Sequence, residues 1–138
     1  MKYHRAISFL AVLGIIVSGL SLFHHYSRTA WAFCSFGGAF SCDLVNRSIY
    51  AEVFGIPVAL MGLLGYGALL GVSLAHSHYD MSRLLLAMSL AALAFSLYLT
   101  YIEAFVLAVW CLLCLASLAL AIGVTLASIK LYQQSFKN

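Results

Sequence analysis

Residues 84–129 read LLLAMSLAALAFSLYLTYIEAFVLAVWCLLCLASLALAIGVTLASI, and Glu103 is the only charged side chain among them. A helix that crosses a bilayer needs about 20 mostly apolar residues. This run of 46 is too long for one crossing and about right for two. Length alone places the turn between them near Phe105 to Trp110, since no glycine, proline or asparagine marks it.

The rest of the chain follows the same pattern. Before the run lies a short polar turn, His76 to Arg83, and before that an apolar segment from about Phe54 to Ala75. The longest polar stretch is His24 to Val53. A first apolar run, Ala6 to Phe23, follows the basic head Met1-Lys2-Tyr3-His4-Arg5. That head and run also fit a signal peptide, with Ala30-Trp31-Ala32 as a small-residue cleavage site. The length of the run, and its distance from that site, favour a retained helix. Of the 138 residues, 64% are hydrophobic and 8% charged. Soluble domains are nearer half apolar and about a quarter charged. The expected fold is an all-α integral membrane protein. It is a four-transmembrane-helix bundle with an exoplasmic cysteine loop between helices 1 and 2. It forms a single membrane domain over residues 1–138, with spans near 6–23, 54–75, 84–105 and 108–130. A net charge of +3 without basic runs excludes nucleic acid as an expected partner; the lipid bilayer is the expected surroundings.

Cytoplasmic loops are enriched in Lys and Arg. Four spans put both termini and the 76–83 turn on one side, with Lys2, Arg5, Arg83, Lys130 and Lys137. The other side carries Arg28 and Arg47. The termini are therefore expected in the cytoplasm, and the 24–53 loop outside it.

Four cysteines fall in two pairs, Cys34-x7-Cys42 and Cys111-x-x-Cys114. By this topology the first pair lies in the exoplasmic loop and the second at the exoplasmic start of the last helix. Both meet at one membrane face, the disulfide-permissive one. Cys111 and Cys114 are neighbours on a helix face, near an N-terminus whose unpaired amides favour thiolate. Gly37-Gly38 lets the loop between Cys34 and Cys42 turn tightly or move. Thiol exchange needs such access, because a thiolate must reach its partner sulfur. Other readings stay open: inert small residues in the helix, a structural disulfide in the loop, or a four-thiolate zinc site.

A small-molecule pocket in such a bundle would be apolar, with a few polar groups to fix its ligand. Phe36, Phe40, Phe54 and Trp110 are candidate walls, with an interfacial or core role as the alternative for each. Glu103 lies about two turns before Cys111. An ionisable group inside a membrane run is a functional candidate by default. It either hands on a proton in the redox chemistry or tunes a thiolate; an interfacial carboxylate at a helix end is the plain reading. Glycines at 62, 65, 67 and 71 would let another helix approach.

The order Cys34-x7-Cys42, Ser48, Phe54-Gly55-Ile56-Pro57, Leu97-Tyr98-Leu99, Phe105-Val106-Leu107 and Cys111-x-x-Cys114 resembles the vitamin K epoxide reductase family, most closely its prokaryotic members. The resemblance covers most of the chain. It implies a membrane thiol:quinone oxidoreductase. Cys34 would exchange with a thioredoxin-like thiol partner, Cys42 would relay to Cys111, and Cys114 would pass electrons to a quinone of the ubiquinone, menaquinone or vitamin K type, with no metal. Ser48, Phe54, Glu103 and Trp110 would lie near the quinone. The resemblance also implies a place in a prokaryotic inner membrane, supporting disulfide formation outside the cytoplasm. The animal enzymes place an asparagine and a tyrosine against the vitamin K head group. Ala51 and Leu118 stand at the aligned positions, which favours an ordinary quinone over the epoxide. Vitamin K quinone or epoxide reduction, and a non-enzymatic four-span scaffold with a structural disulfide, are the alternatives.

Overall fold

A computed structural model describes residues 2–26, 49, 52–75 and 79–137. Cys34, Cys42, Ser48, Phe36 and Phe40 lie outside the described residues. Helix α1 spans Lys2–Tyr26. A two-strand hairpin comes next, β1 Glu52–Val53 and β2 Ile56–Pro57, and leads directly into α2, Val58–Leu74. Helix α3, Tyr79–Tyr101, continues as a π-helical turn over Ile102–Leu107. Helix α4 runs Leu112–Lys137.

Among the described residues three segments are long and apolar enough to cross a membrane: Lys2–Tyr26, Met81–Leu107 and Leu112–Lys137. Helix α2 is a shorter apolar helix of 17 residues. At 1.5 Å per residue it reaches about 26 Å, close to the minimum for a crossing. It begins at Val58 rather than Phe54 because residues 52–57 turn back on themselves. Glu52 pairs with Pro57 and Val53 with Ile56. Phe54 (φ 54°) and Gly55 (φ 80°) form the tip. Positive φ at both central residues is the geometry whose twist matches a tight hairpin. Gly55 takes it freely, and Phe54 takes it at some steric cost.

Helix α1 shows how a bundle is written for lipid. Ile7, Ala11, Gly14, Ser18 and Ser21 are buried, at spacings of four and three that keep one face inward. Phe9, Ile16 and Phe23 face outward, each more than half exposed. Apart from Ile7, the inward positions are small or polar and the large apolar groups lie outside, the inverse of a soluble helix. Lipid tails solvate Phe and Ile as well as a core does, so close packing and interhelical hydrogen bonds hold the bundle instead.

Helix α1 packs on α2 and α4, and α3 packs on α4; α2 and α3 pack least closely of these neighbours. The core is built around Ile7, Ala11, Tyr66, Leu69, Leu85, Val124 and Leu131. Polar side chains tie the helices together. Ser8 Oγ lies 2.9 Å from Ser73 Oγ, joining α1 to α2. Ser135 Oγ donates to Ser82 Oγ at 3.2 Å, joining α4 to α3. Two glycines make room at the α1–α2 crossing. A Cβ on Gly14 would fall inside the Tyr66 ring, and one on Gly62 would come within 3.0 Å of Ser18 Oγ. Among the described residues a Cβ on Gly65, Gly67 or Gly71 would meet nothing within 4 Å, so of the four glycines singled out on α2 Gly62 is the one whose small size a described neighbouring helix uses.

Candidate functional site

The connection from α3 to α4 builds the site. Over Ile102–Leu107 the helix widens to a π-helical turn, which adds a residue to the turn and rotates the chain beyond it; such turns recur at functional sites. Glu103 and Ile102 face inward, while Phe105 and Val106 face out. Ala108 ends the turn at φ 55°, its amide bonded to the Glu103 carbonyl. The Val109 amide donates to the same carbonyl at 3.1 Å. Left-handed backbone costs an alanine about 1–2 kcal/mol. Ala108→Gly is therefore expected to raise the unfolding temperature in detergent, corresponding to about 1 kcal/mol, and an unchanged or lower value would contradict this geometry.

Cys111 precedes the first residue of α4, and its carbonyl accepts the Leu115 amide at 3.0 Å. It thus occupies the N-cap position, where a side chain meets the unpaired amides of the first turn. The thiol of Cys111 is held below the usual range: its hydrogen bond with the Cys114 side chain is the largest cause, and the Cys114 and Leu113 amides add to the effect, while burial and the Glu103 carboxylate oppose it. Cys111 is fully buried and Cys114 partly so.

Glu103 is 1% exposed. Its Oε2 accepts the Cys111 amide at 3.2 Å, and the Cys114 thiol is hydrogen-bonded to the same carboxylate. Its Oε1 is buried with no hydrogen-bond partner among the described residues. One carboxylate therefore touches both members of the cysteine pair.

Beside this cluster lies a cavity of 370 Å³, bounded by residues of all four helices. Its walls are mostly apolar, with Met61, Met88, Phe95 and Leu99 among them. Cys114, Glu103, Tyr66 and Ser117 bring polar atoms to it. Cys111 does not line it. The size and character are those of a small-molecule site, an apolar cleft of about 300–1,000 Å³ with a few placed polar groups. The Tyr66 hydroxyl donates to the Ser117 carbonyl at 2.9 Å and lies 3.2 Å from Ser117 Oγ. His25, at the cavity's edge, is 3.1 Å from Glu52 and fastens the hairpin to the end of α1.

Of the sequence candidates among the described residues, Glu103, Cys111 and Cys114 come together. Phe54 and Trp110 do not line the cavity; Phe54 is fully exposed at the hairpin tip. Tyr66 does not stand out in the sequence. The signal it carries is a hydroxyl in the middle of an apolar helix, which must find a partner where water is absent.

The family model of the vitamin K epoxide reductase family matches residues 5–129, from the first turn of α1 to the last turns of α4. With its apolar helices and its Cys-x-x-Cys pair at a membrane-helix cap beside an apolar cavity, the chain belongs to the vitamin K epoxide reductase family.

Proposed function

We propose that this protein is a membrane thiol:quinone oxidoreductase that draws electrons from an exoplasmic thioredoxin-like partner and supports disulfide formation outside the cytoplasm. The observation that carries the proposal is the asymmetry of the Cys111–Cys114 pair. Cys114 lines the cavity, whereas Cys111 caps α4 away from it. This asymmetry supports a division of labour in which Cys111 exchanges with another thiol and Cys114 serves an acceptor inside the bundle.

The cavity fits a quinone head group on two counts. Its walls are apolar, and Glu103 Oε1 is a buried polar atom with no partner among the described residues. Residues Cys114, Glu103, Tyr66 and Ser117 would contact the ring; a bound quinone would supply two-electron acceptor chemistry. In this reading the partner's dithiol reduces a Cys34–Cys42 disulfide and is itself oxidised. Cys42 then attacks a Cys111–Cys114 disulfide at Cys111, forming a new sulfur–sulfur bond and releasing Cys114. Cys34 resolves that mixed bond, which restores the loop disulfide and leaves the helix pair reduced. The lowered thiol value at Cys111 suits it to exchange, because Cys111 is the leaving group when Cys34 resolves the mixed bond, and a thiol of lower pKa leaves faster. Four crossings, with both termini cytoplasmic and the cysteines at the outer face, complete the proposal; Lys and Arg placement supports that orientation, as does the family's setting in membranes.

The test is anaerobic quinone reduction by the purified protein in detergent, with a dithiol as donor. Turnover with a ubiquinone or menaquinone is expected. No turnover across ubiquinones, menaquinones and vitamin K, in a folded sample with reactive thiols, would overturn the proposal.

A further inference from the structure

Glu103 has contacts that the electron path does not require. Its Oε2 holds the Cys111 amide at 3.2 Å, the Cys114 thiol is bonded to its carboxylate, and both oxygens lie out of water. A carboxylate buried in a membrane bundle is costly. Fixing the turn does not call for one, since an amide oxygen would accept the Cys111 N–H as well. The charge, or the proton it can hold, remains to be explained. Among the described residues the cavity offers it no Lys or Arg; the titratable groups that share the cavity are Cys114, Tyr66 and His25. The unpartnered Oε1 belongs to a side chain that lines the cavity beside Cys114.

We propose that Glu103 is the proton carrier of the cavity, taking the proton of the Cys114 thiol and delivering it to an oxygen of the electron acceptor. The inference rests on the quinone reading above and assigns the proton path within it. Oxidation of the two thiols forms the Cys111–Cys114 bond and releases two electrons and two protons. The quinone gains both electrons and forms two O–H bonds. Glu103 carries one of the protons, from sulfur to oxygen, and ends the cycle in the state in which it began. The other leaves Cys111 for water, and water supplies the second O–H proton. The π-helical turn and the left-handed Ala108 act here as positioning features, since they turn Glu103 inward to meet the Cys111 amide and the Cys114 thiol.

The test compares native protein with Glu103→Gln, which keeps an oxygen for the Cys111 amide and cannot carry the proton. Quinone-dependent turnover is expected to fall by about 10²-fold or more, the usual weight of general acid–base transfer. Alkylation of reduced Cys114 by N-ethylmaleimide is expected to lose one inflection from its pH profile, the one set by the Glu103 carboxyl. The reduced-minus-oxidised infrared spectrum of the native protein is expected to contain a carboxyl band that shifts in heavy water and is absent from the variant. Turnover within threefold of native, with the alkylation profile keeping all its inflections, would overturn the carrier role alone. No turnover by the native protein would overturn the quinone reading and the carrier role with it. If Glu103→Gln fails to fold, the native infrared spectrum decides, and the absence of a carboxyl change on reduction overturns the proposal.

Discussion

Replacing Cys114 with alanine is expected to reduce quinone turnover to the uncatalysed background, and replacing Cys111 is expected to do the same for a different reason. Cys114 is the sulfur on the cavity wall. Without it no thiol of the described bundle faces the acceptor. Cys111 is fully buried and caps α4, so its loss leaves a thiol at the cavity that cannot close a disulfide. The two variants therefore separate in labelling although both are inactive. A small quinone-like electrophile should modify Cys114 in Cys111→Ala, and should leave Cys111 unmodified in Cys114→Ala. Peptide mass spectrometry reads both. Equal labelling of the two cysteines would show that the cavity does not discriminate between them, and would remove the structural basis for their separate roles.

The second large effect is expected at Gly14. The Tyr66 ring lies directly over it, so a methyl group there would overlap the ring. The ring has little freedom to withdraw, because its hydroxyl is bonded to Ser117 on α4. Gly14→Ala must push α1 and α2 apart or break that bond. Overpacking of this kind costs about 1–3 kcal/mol, read as a lowered unfolding temperature in detergent. The shift should carry a loss of activity, since Tyr66 lines the cavity. Combining Gly14→Ala with Tyr66→Ala should recover part of the stability lost by the first change, a non-additivity expected only of residues in contact. Strict additivity would place the ring elsewhere.

Much of this architecture is legible in the sequence, and where it is not the reasons are physical. The apolar runs stand out because a bilayer tolerates few charges. Glu103 stands out for the same reason, as the lone charge in 46 residues. What the sequence hides is direction. In a soluble helix the apolar face identifies the core; in α1 both faces are apolar, and the distinction between Phe9 outside and Gly14 inside is one of size. Gly14 and Tyr66 therefore escape a reading based on hydropathy. The hairpin at Glu52–Pro57 is hidden differently. Its turn holds Phe54 at positive φ, where a glycine or asparagine is the usual signal, so the segment reads as the start of a helix. The π-helical turn has no compositional mark either, and the end of α3 is legible only by length. The loop cysteines, Cys34 and Cys42, rest on spacing and family resemblance, since they lie outside the described residues.

The loose packing between α2 and α3 bears on how the enzyme should be assayed. Met61 and Gly62 on one helix and Met88 and Ala91 on the other line the cavity from opposite sides of that boundary. A hydrophobic acceptor that enters there arrives sideways from the lipid and never dissolves in the buffer. Its effective concentration is then its mole fraction in the bilayer. Adding lipid at fixed protein and fixed quinone would slow a subsaturated enzyme by simple dilution in two dimensions, while changing the volume of buffer would leave the rate per enzyme untouched.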